Sequence, residues 1–187
     1  ASRDVAFWQE AINDEMDSIM ANNTWVLVDL PHGSKPIKNN WVFRKKYNSD
    51  GTLQTFKARL VAKGFTQKKG LDYFDTYAPV ARITSIRVLF ALASIYKLHV
   101  HQMDVKIAFL NGDLKEEVYM EQPEGFILPG NENKVCKLIK SLYGLKQAPK
   151  QWHEKFDNAI LSNGFRHNTA DKCIYSKFTS DYGVIIY

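Results

Sequence analysis

The sequence predicts an α+β fold, and three observations support that prediction. Helical and strand patterns intermix along the 187 residues without the regular βαβ rhythm of a doubly wound sheet. Hydrophobic residues make up 45% of the chain and aromatic residues 13%, a composition typical of a folded protein with a sizeable core. No internal repeat, low-complexity tract or flexible linker interrupts it, so we expect one domain or two closely packed lobes.

The first thirty residues predict an amphipathic helix and then a strand. Apolar residues recur at helical spacing from Val5 to Ile19, with acidic residues between them, so one helix face needs a partner surface. Asn22-Asn23 is expected to end this helix. Residues 24–28 then predict a short strand that runs toward Pro31.

A β-hairpin is the clearest local prediction. Residues 41–47 and about 55–63 each alternate between two faces, and the turn-forming run 48–51 joins them. The basic residues that the alternation places on one face are Lys57, Arg59 and Lys63. That face is either a solvated basic strand, which protects a sheet edge from aggregation, or a surface that binds anions.

The rest of the chain predicts two helices and several strands. A helix is expected at 84–97, with Thr84-Ser85 as its cap, and another at 150–163, which Gly164 ends. The predicted strands are 99–105, with Asp104 at its end and a short helical turn after it, 118–120, 173–178 and 184–187.

Composition restricts the possible partners. The formal net charge is +5 and the sequence pI is about 9.1, which favours polyanions, and the basic residues crowd into 45–69. No apolar run reaches the roughly 20 residues that cross a bilayer, and no leader is evident, so we expect an intracellular protein without a membrane partner. Cys136 and Cys173 lack the spacing of metal ligands or catalytic cysteines, so we expect two buried free thiols, with a structural disulfide as the alternative.

Four ungapped blocks carry a resemblance to a known family. They are K-A-R-L-V-A-K-G-F at 57–65, T-Y-A-P-V at 76–80, Q-M-D-V-K-I-A-F-L-N-G at 102–112 and S-L-Y-G-L-K-Q-A-P at 141–149. Together they resemble the reverse transcriptase of copia-type LTR retrotransposons, in order from about Trp8 to Tyr187. The resemblance implies a right-hand polymerase fold, with an antiparallel sheet and helices packed on one side of it.

The same resemblance implies a domain division and a chemistry. Residues 1–79 and 112–148 would form the fingers, and 80–111 and 149–187 an incomplete palm. The implied reaction is nucleotidyl transfer assisted by two Mg²⁺ ions about 3.5–4 Å apart. Asp104 matches the first metal-binding carboxylate of the palm, with the carbonyl of Val105 beside it as a second metal ligand. Without the resemblance, a helix cap or a surface residue is the favoured interpretation of Asp104, and the resemblance reverses that preference.

The resemblance also implies residues that bind the incoming nucleotide. Phe109 matches the aromatic residue that packs under the sugar and excludes a 2′-hydroxyl, which would select dNTPs; the alternative is an ordinary core phenylalanine. Arg59, assisted by Lys57 or Lys63, would neutralise the triphosphate, because a guanidinium offers a bidentate fork of donors.

The block at 141–149 implies contacts beneath the nucleotide and the template. Tyr143 and Gly144 would pack under the nucleotide, and Gly144 would permit a close approach of the backbone. Lys146 and Gln147 would contact the template. Retroviral relatives have a glutamine where this chain has Tyr143, so a glutamine-type contact is not carried over.

The resemblance sets an expectation about activity and partners. The family's second and third carboxylates stand in a Tyr-x-Asp-Asp turn that the 187 residues do not contain, so we expect no polymerisation by this polypeptide alone. The implied partners are an RNA or DNA template-primer, dNTPs and the rest of a Pol polyprotein with its palm, thumb and ribonuclease H, in a cytoplasmic particle. The alternatives are a non-catalytic nucleic-acid-binding remnant and an unstable relic whose strand at 184–187 lacks its next partner.

Overall fold

The structure is a computed structural model, and it describes residues 4–187. Its helices are α1 Val5–Ala21, α2 Ile83–Ile95 and α3 Ala148–Ser162. Its strands are β1 Trp25–Val28, β2 Asn39–Tyr47, β3 Leu53–Ala62, β4 Asp113–Met120, β5 Val135–Lys140, β6 Arg166–His167, β7 Tyr175–Phe178 and β8 Gly183–Ile186. Every pairing between these strands is antiparallel, so the predicted α+β class is confirmed.

The chain divides into two compact units. The first unit contains the residues up to Thr76 together with Ile107–Trp152, and the second contains Tyr77–Lys106 and His153–Tyr187. The assignment of fingers and palm to particular residues stays a prediction, and residues 1–3 of the expected fingers lie outside the described residues. Within 4–187, no helix combines the length and apolar character that crossing a membrane requires.

The predicted hairpin is confirmed, and it has two unlike faces. β2 and β3 pair so that Val42 stands opposite Arg59 and Arg44 opposite Lys57. The other face of β3 is apolar and buried, at Ala58, Leu60 and Ala62. Directly paired residues share a face of the sheet, so one side of the hairpin is basic and the other belongs to the core. Lys63 lies one residue beyond β3 and is half-buried.

Helix α1 is confirmed, but only part of its predicted apolar stripe is buried. Met16 and Ile19 are buried, whereas Val5 is 56% exposed. Glu15 is also buried, and its carboxylate accepts a hydrogen bond from the backbone N–H of Leu60 on β3 at 3.4 Å. The helix therefore packs on the hairpin with both halves, because Phe7 and Trp8 near its start also meet the ring of Phe56, with centroids 5.3 and 4.6 Å apart. Its second half carries an acidic group into that contact.

The core of the first unit is built on a three-stranded sheet in the order β1-β5-β4. The central strand β5 is absent from the sequence prediction, because its adjacent residues Val135 and Cys136 are both buried and break the alternation of a half-buried strand. The buried cluster around this sheet consists of Met16, Ile19, Ile37, Leu60, Ala62, Leu110, Val118, Met120, Cys136, Leu138, Leu142, Leu145 and Ala148.

The second unit contains α2, the C-terminal part of α3 and a three-stranded sheet in the order β6-β7-β8. The predicted hairpin near the C-terminus is confirmed, with Tyr175 of β7 opposite Ile186 of β8. Tyr175 is 1% exposed and anchors this sheet against Phe156 of α3, with ring centroids 5.8 Å apart. Within the described sheet, β8 is an edge strand. Helix α3 ends just before Gly164, as predicted.

Two predictions in the second unit are wrong. Residues 99–105 form no strand in the described structure; all of them are exposed, and their alternation is not matched by a ladder partner. Thr84-Ser85 does not cap α2, which begins at Ile83. Asp171 supplies the missing acceptor instead, because its carboxylate accepts from the N–H of Arg82 at 3.1 Å, and this bond lowers the pKa of Asp171.

Both cysteines are free, as predicted, but only Cys136 is buried as expected. Cys136 is fully buried on β5, and this burial raises the pKa of its thiol to about 12. Cys173 is half-buried. The thiol of Cys136 therefore acts as a small apolar side chain of the core.

Replacement of Glu15 by glutamine tests the acidic contact under the hairpin. Burial is the largest influence on Glu15 and raises its pKa above the ordinary 4.5, while the Leu60 hydrogen bond and the charges of Lys57 and Arg59 oppose it. The folded state then binds the Glu15 proton more tightly than the unfolded state does. Proton binding at Glu15 therefore contributes fully to the free energy of unfolding below pH 4.5, and this contribution is lost as pH rises through the folded pKa.

We therefore expect Glu15→Gln to gain stability relative to the parent chain as pH rises from 4 to 7. Urea unfolding at a series of pH values measures the difference. Glu10→Gln, at an exposed position of α1, controls for the loss of one charge from the helix. A difference that stays constant, or that runs the other way with pH, contradicts the assignment.

Candidate functional site

Three residues from distant parts of the sequence meet in the first unit. The guanidinium carbon of Arg59 on β3 lies 5.2 Å from the centre of the Tyr143 ring. Phe109 meets the same ring edge-on, with centroids 5.3 Å apart and an angle of 82° between the planes. The first contact is a cation–π interaction and the second is the edge-to-face arrangement that aromatic pairs prefer. We call these residues the Arg59–Tyr143–Phe109 cluster.

The Arg59 side chain retains a free donor in this cluster. Its Nε is buried and has no hydrogen-bond partner. A buried donor without an acceptor is destabilising by about 1–3 kcal/mol, so an acceptor that arrives with negative charge is favoured there. The cluster therefore combines an aromatic surface with an unsatisfied cationic donor, which suits a ligand that has both a flat ring and an anionic group.

The register of the hairpin adds cations that the sequence prediction did not include in the site. Arg44 pairs with Lys57 and Lys46 pairs with Thr55, so Arg44 and Lys46 lie on the same face as Arg59. Both are exposed. Alternation along 41–47 places Arg44 and Lys46 on one face of β2. Whether Arg59 lies on that same face depends on the register between β2 and β3, which the sequence pattern does not give. The basic face of the hairpin consists of Arg44, Lys46, Lys57 and Arg59.

A contact between two backbones positions Tyr143 beneath Arg59. The N–H of Ala62, at the end of β3, donates to the carbonyl oxygen of Tyr143 at 2.7 Å. A Cβ on Gly64 would overlap the carbonyl oxygen of Gly144, and a Cβ on Gly144, whose φ is +91°, would overlap the carbonyl oxygen of Ala62. Glycine at both positions therefore allows the segment at 143–147 to lie directly against the end of β3.

Lys146 and Gln147 are held by the first unit's own residues. The side chain of Gln147 is fully buried and bonds to Gln67 at 3.1 Å and to the carbonyl of Asp72 at 3.0 Å. The ammonium of Lys146 lies 3.3 Å from the Tyr73 hydroxyl and 4.8 Å from the centre of its ring. Their contact with a template stays a prediction.

The predicted metal ligands lie in the second unit. Asp104 and Val105 are exposed and belong to a segment without regular secondary structure. Among residues 4–187 there is no group of three His, Cys, Asp or Glu side chains that could hold a metal ion. The donors that the structure describes therefore do not fit a two-ion site, and the role of Asp104 as a metal ligand stays a prediction.

Substitution of Gly64 tests the backbone contact. Gly64→Ala is expected to destabilise the protein by about 3 kcal/mol, because the added methyl group overlaps the backbone at Gly144. Gly33→Ala is the matched control: its φ is +82°, but nothing lies within 4 Å of the added Cβ, so only backbone strain of about 1 kcal/mol is expected. Chemical denaturation measures both changes. Equal losses in the two variants would show that no close contact exists at Gly64.

The chain matches a protein family model and several transposon polyproteins. A family model described as reverse transcriptase (RNA-dependent DNA polymerase) matches residues 22–187. The "Retrovirus-related Pol polyprotein from transposon TNT 1-94" of Nicotiana tabacum is 51% identical over 177 residues, which cover 95% of this chain and 13% of that protein. The corresponding polyprotein from transposon RE1 of Arabidopsis thaliana is 46% identical over 169 residues, covering 90% of this chain and 12% of that protein.

A more distant relative comes from yeast. The "Truncated transposon Ty1-A Gag-Pol polyprotein" of Saccharomyces cerevisiae is 30% identical over 175 residues, covering 89% of this chain and 14% of that protein. No solved structure matches the chain. This chain therefore spans only 12–14% of the length of these relatives, although they cover nearly all of it.

Proposed function

The chain belongs to the reverse transcriptase (RNA-dependent DNA polymerase) family, in its copia type, and we propose that it forms the nucleotide-binding part of such an enzyme. The single observation that supports this proposal is the Arg59–Tyr143–Phe109 cluster, with its buried and unsatisfied Arg59 Nε. The proposed ligand is the incoming dNTP, which has both a base and a triphosphate.

Arg59 is the proposed contact to the triphosphate. A guanidinium binds phosphate oxygens through parallel N–H donors, and such charge-assisted bonds are stronger than neutral ones. The cation–π contact with Tyr143 positions the guanidinium, whose buried Nε has no hydrogen-bond partner within the protein. Lys57 and Lys63 are proposed to add positive potential, because Lys57 shares the basic face and Lys63 follows directly after β3.

Phe109 is the proposed gate for the sugar. Its ring meets Tyr143 edge-on and packs against the buried core cluster, so we propose that it acts as a rigid wall. A fixed aromatic wall under the sugar would exclude a 2′-hydroxyl by contact and select dNTPs over ribonucleotides. Tyr143 and Gly144 are proposed to form the floor of this site, and Lys146 and Gln147 to lie nearest the template.

The longer Pol polyprotein is proposed to complete the enzyme. Asp104 and the carbonyl of Val105 would supply one part of a Mg²⁺ site, which the described residues do not form alone. We propose that 1–79 and 112–148 form the fingers and that 80–111 and 149–187 form part of the palm of a right hand. The proposed partners are a template-primer, dNTPs and the remaining palm, thumb and ribonuclease H, within an intracellular particle.

Nucleotide binding tests the proposal directly. We expect Arg59→Ala to weaken binding of dATP by at least about tenfold, because one charge-assisted contact is lost. Arg44→Ala, which removes the same charge from the same face without a partner ring in the cluster, is expected to change the affinity by less than about threefold. Calorimetric titration at fixed Mg²⁺ and ionic strength measures both. Equal losses in the two variants would indicate diffuse, non-catalytic binding of polyanions instead.

Primer extension tests the expectation about activity. With an RNA template, a DNA primer, dNTPs and Mg²⁺, we expect the 187-residue chain to extend no primer, since Asp104 alone gives too little negative charge to hold two divalent ions. A filter-binding titration with salt, run in parallel, reports whether the template-primer is bound. Extension that disappears in Asp104→Asn would refute the expected inactivity and identify Asp104 as catalytic.

A further inference from the structure

The structure assigns a positioning role to Gln67, a residue that lies outside the cluster. We propose that its side chain holds the segment 143–147 so that the Tyr143 ring lies beneath Arg59. Gln67 directly follows the helical turn Gly64–Thr66 and is only 4% exposed. The consequence for nucleotide binding rests on the proposed function, whereas the positioning itself can be tested without a nucleotide.

A directional chain of hydrogen bonds runs through Gln67. The N–H of Lys146 donates to Gln67 Oε1 at 2.9 Å, and Gln67 Nε2 donates to Gln147 Oε1 at 3.1 Å. Gln147 Nε2 then donates to the carbonyl oxygen of Asp72 at 3.0 Å. This series of hydrogen bonds begins at a backbone N–H and ends at a backbone carbonyl. Rotation of either side-chain amide by half a turn would therefore place a donor against a donor and an acceptor against an acceptor.

Both side chains in this series of hydrogen bonds are buried. Gln147 is 0% exposed and Gln67 is 4% exposed, so water does not replace a lost bond at either side chain. A broken link leaves a buried polar group without a partner, and hydrogen bonds linked in series strengthen one another at low dielectric. The two amides therefore define one arrangement of the segment 143–147 rather than several.

Gln67 and Ala62 together hold both ends of the segment that carries Tyr143. The N–H of Ala62 binds the carbonyl of Tyr143 at 2.7 Å, while Gln67 binds the N–H of Lys146. The ammonium of Lys146 also donates to the carbonyl oxygen of Gln67 at 3.3 Å. With the second anchor released, the segment keeps the bond from Ala62 and its buried Leu142 and Leu145, but its Lys146 end loses a polar restraint. The Tyr143 ring is then expected to shift relative to Arg59.

Gln67→Glu separates the donor function of Gln67 from its shape. As a carboxylate, the glutamate keeps the acceptor for Lys146, but it has no hydrogen to donate and places an oxygen against Gln147 Oε1. Repulsion between these two acceptors displaces Gln147, which is the end of the segment 143–147. Gln122→Glu is the matched control in the same unit. Gln122 also bridges a loop, donating to the carbonyls of Asn131 and Lys134 at 2.7 and 3.0 Å and accepting from Leu128 at 3.0 Å.

The first readout is the proton resonance of the Arg59 Nε–H, which an aromatic ring beneath the guanidinium shifts. We expect Gln67→Glu to move this resonance toward its position in Tyr143→Leu, and Gln122→Glu to leave it unchanged. Arg59→Lys assigns the resonance by its disappearance. An unchanged resonance in Gln67→Glu, together with a shift in Tyr143→Leu, would overturn the positioning role.

A substitute variant covers the case in which Gln67→Glu does not fold, as judged from lost dispersion of the amide resonances. Gln67→Asn keeps both polar groups but withdraws them by one methylene, so the same shift of the Arg59 resonance is expected. A folded Gln67→Asn with an unchanged Arg59 resonance would contradict the proposal just as directly.

The second readout is the affinity for dATP. We expect Gln67→Glu to weaken binding at least fivefold and Gln122→Glu to change it by less than twofold. In the Gln67→Glu background, we expect Arg59→Ala to reduce the dATP affinity by less than half of the factor seen in the parent chain. The two losses are not additive, because Gln67 acts on binding through the position of Tyr143 beneath Arg59. A parent chain that does not bind dATP refutes the proposed function, whereas the resonance of Arg59 still decides the role of Gln67.

Discussion

The candidate site depends on one contact between two backbones. The end of β3 and the segment 143–147 touch at Gly64 and Gly144, where no side chain separates them, and the bond from Ala62 to Tyr143 fixes their register. Arg59 lies on that strand and Tyr143 lies on that segment, so their stacking follows from the contact. A Cβ at either glycine would force the two backbones apart and would remove the aromatic surface beneath the cation.

The hairpin separates charge from the core by alternation. Its apolar face, at Ala58, Leu60 and Ala62, is buried against α1 and the sheet, and its basic face carries the arginines and lysines. Glu15 is the exception, because it brings a carboxylate into the buried contact near Lys57 and Arg59. The hydrogen bond from Leu60 and the two nearby cations offset part of the desolvation of that carboxylate, whose pKa remains raised.

Amide hydrogen bonds and ring contacts hold the segment that carries Tyr143. Gln67 and Gln147 use amide hydrogen bonds, and the Tyr143 ring uses contacts with Phe109 and Arg59. The positive charge of the site is carried by the half-buried Arg59 and by the exposed Arg44 and Lys46 on the same face of the hairpin.

The sequence by itself determined the elements whose signal is local. The periodicity of α1 and α3, the alternation and turn chemistry of β2–β3, and the hairpin β7–β8 are all readable from neighbouring residues, because helix and strand periods repeat within a few positions. The resemblance in four blocks also indicates Arg59, Phe109 and Tyr143, which the structure brings into contact. The tertiary structure decided what depends on distant partners. β5 is a strand because β1 and β4 pair with it on both sides, while 99–105 has the alternation without a partner. Gln67 has no periodic signal, and only the burial of its amide between Lys146 and Gln147 reveals its role. Strand pairing and desolvation are properties of the packed chain, and for that reason local sequence patterns did not contain them.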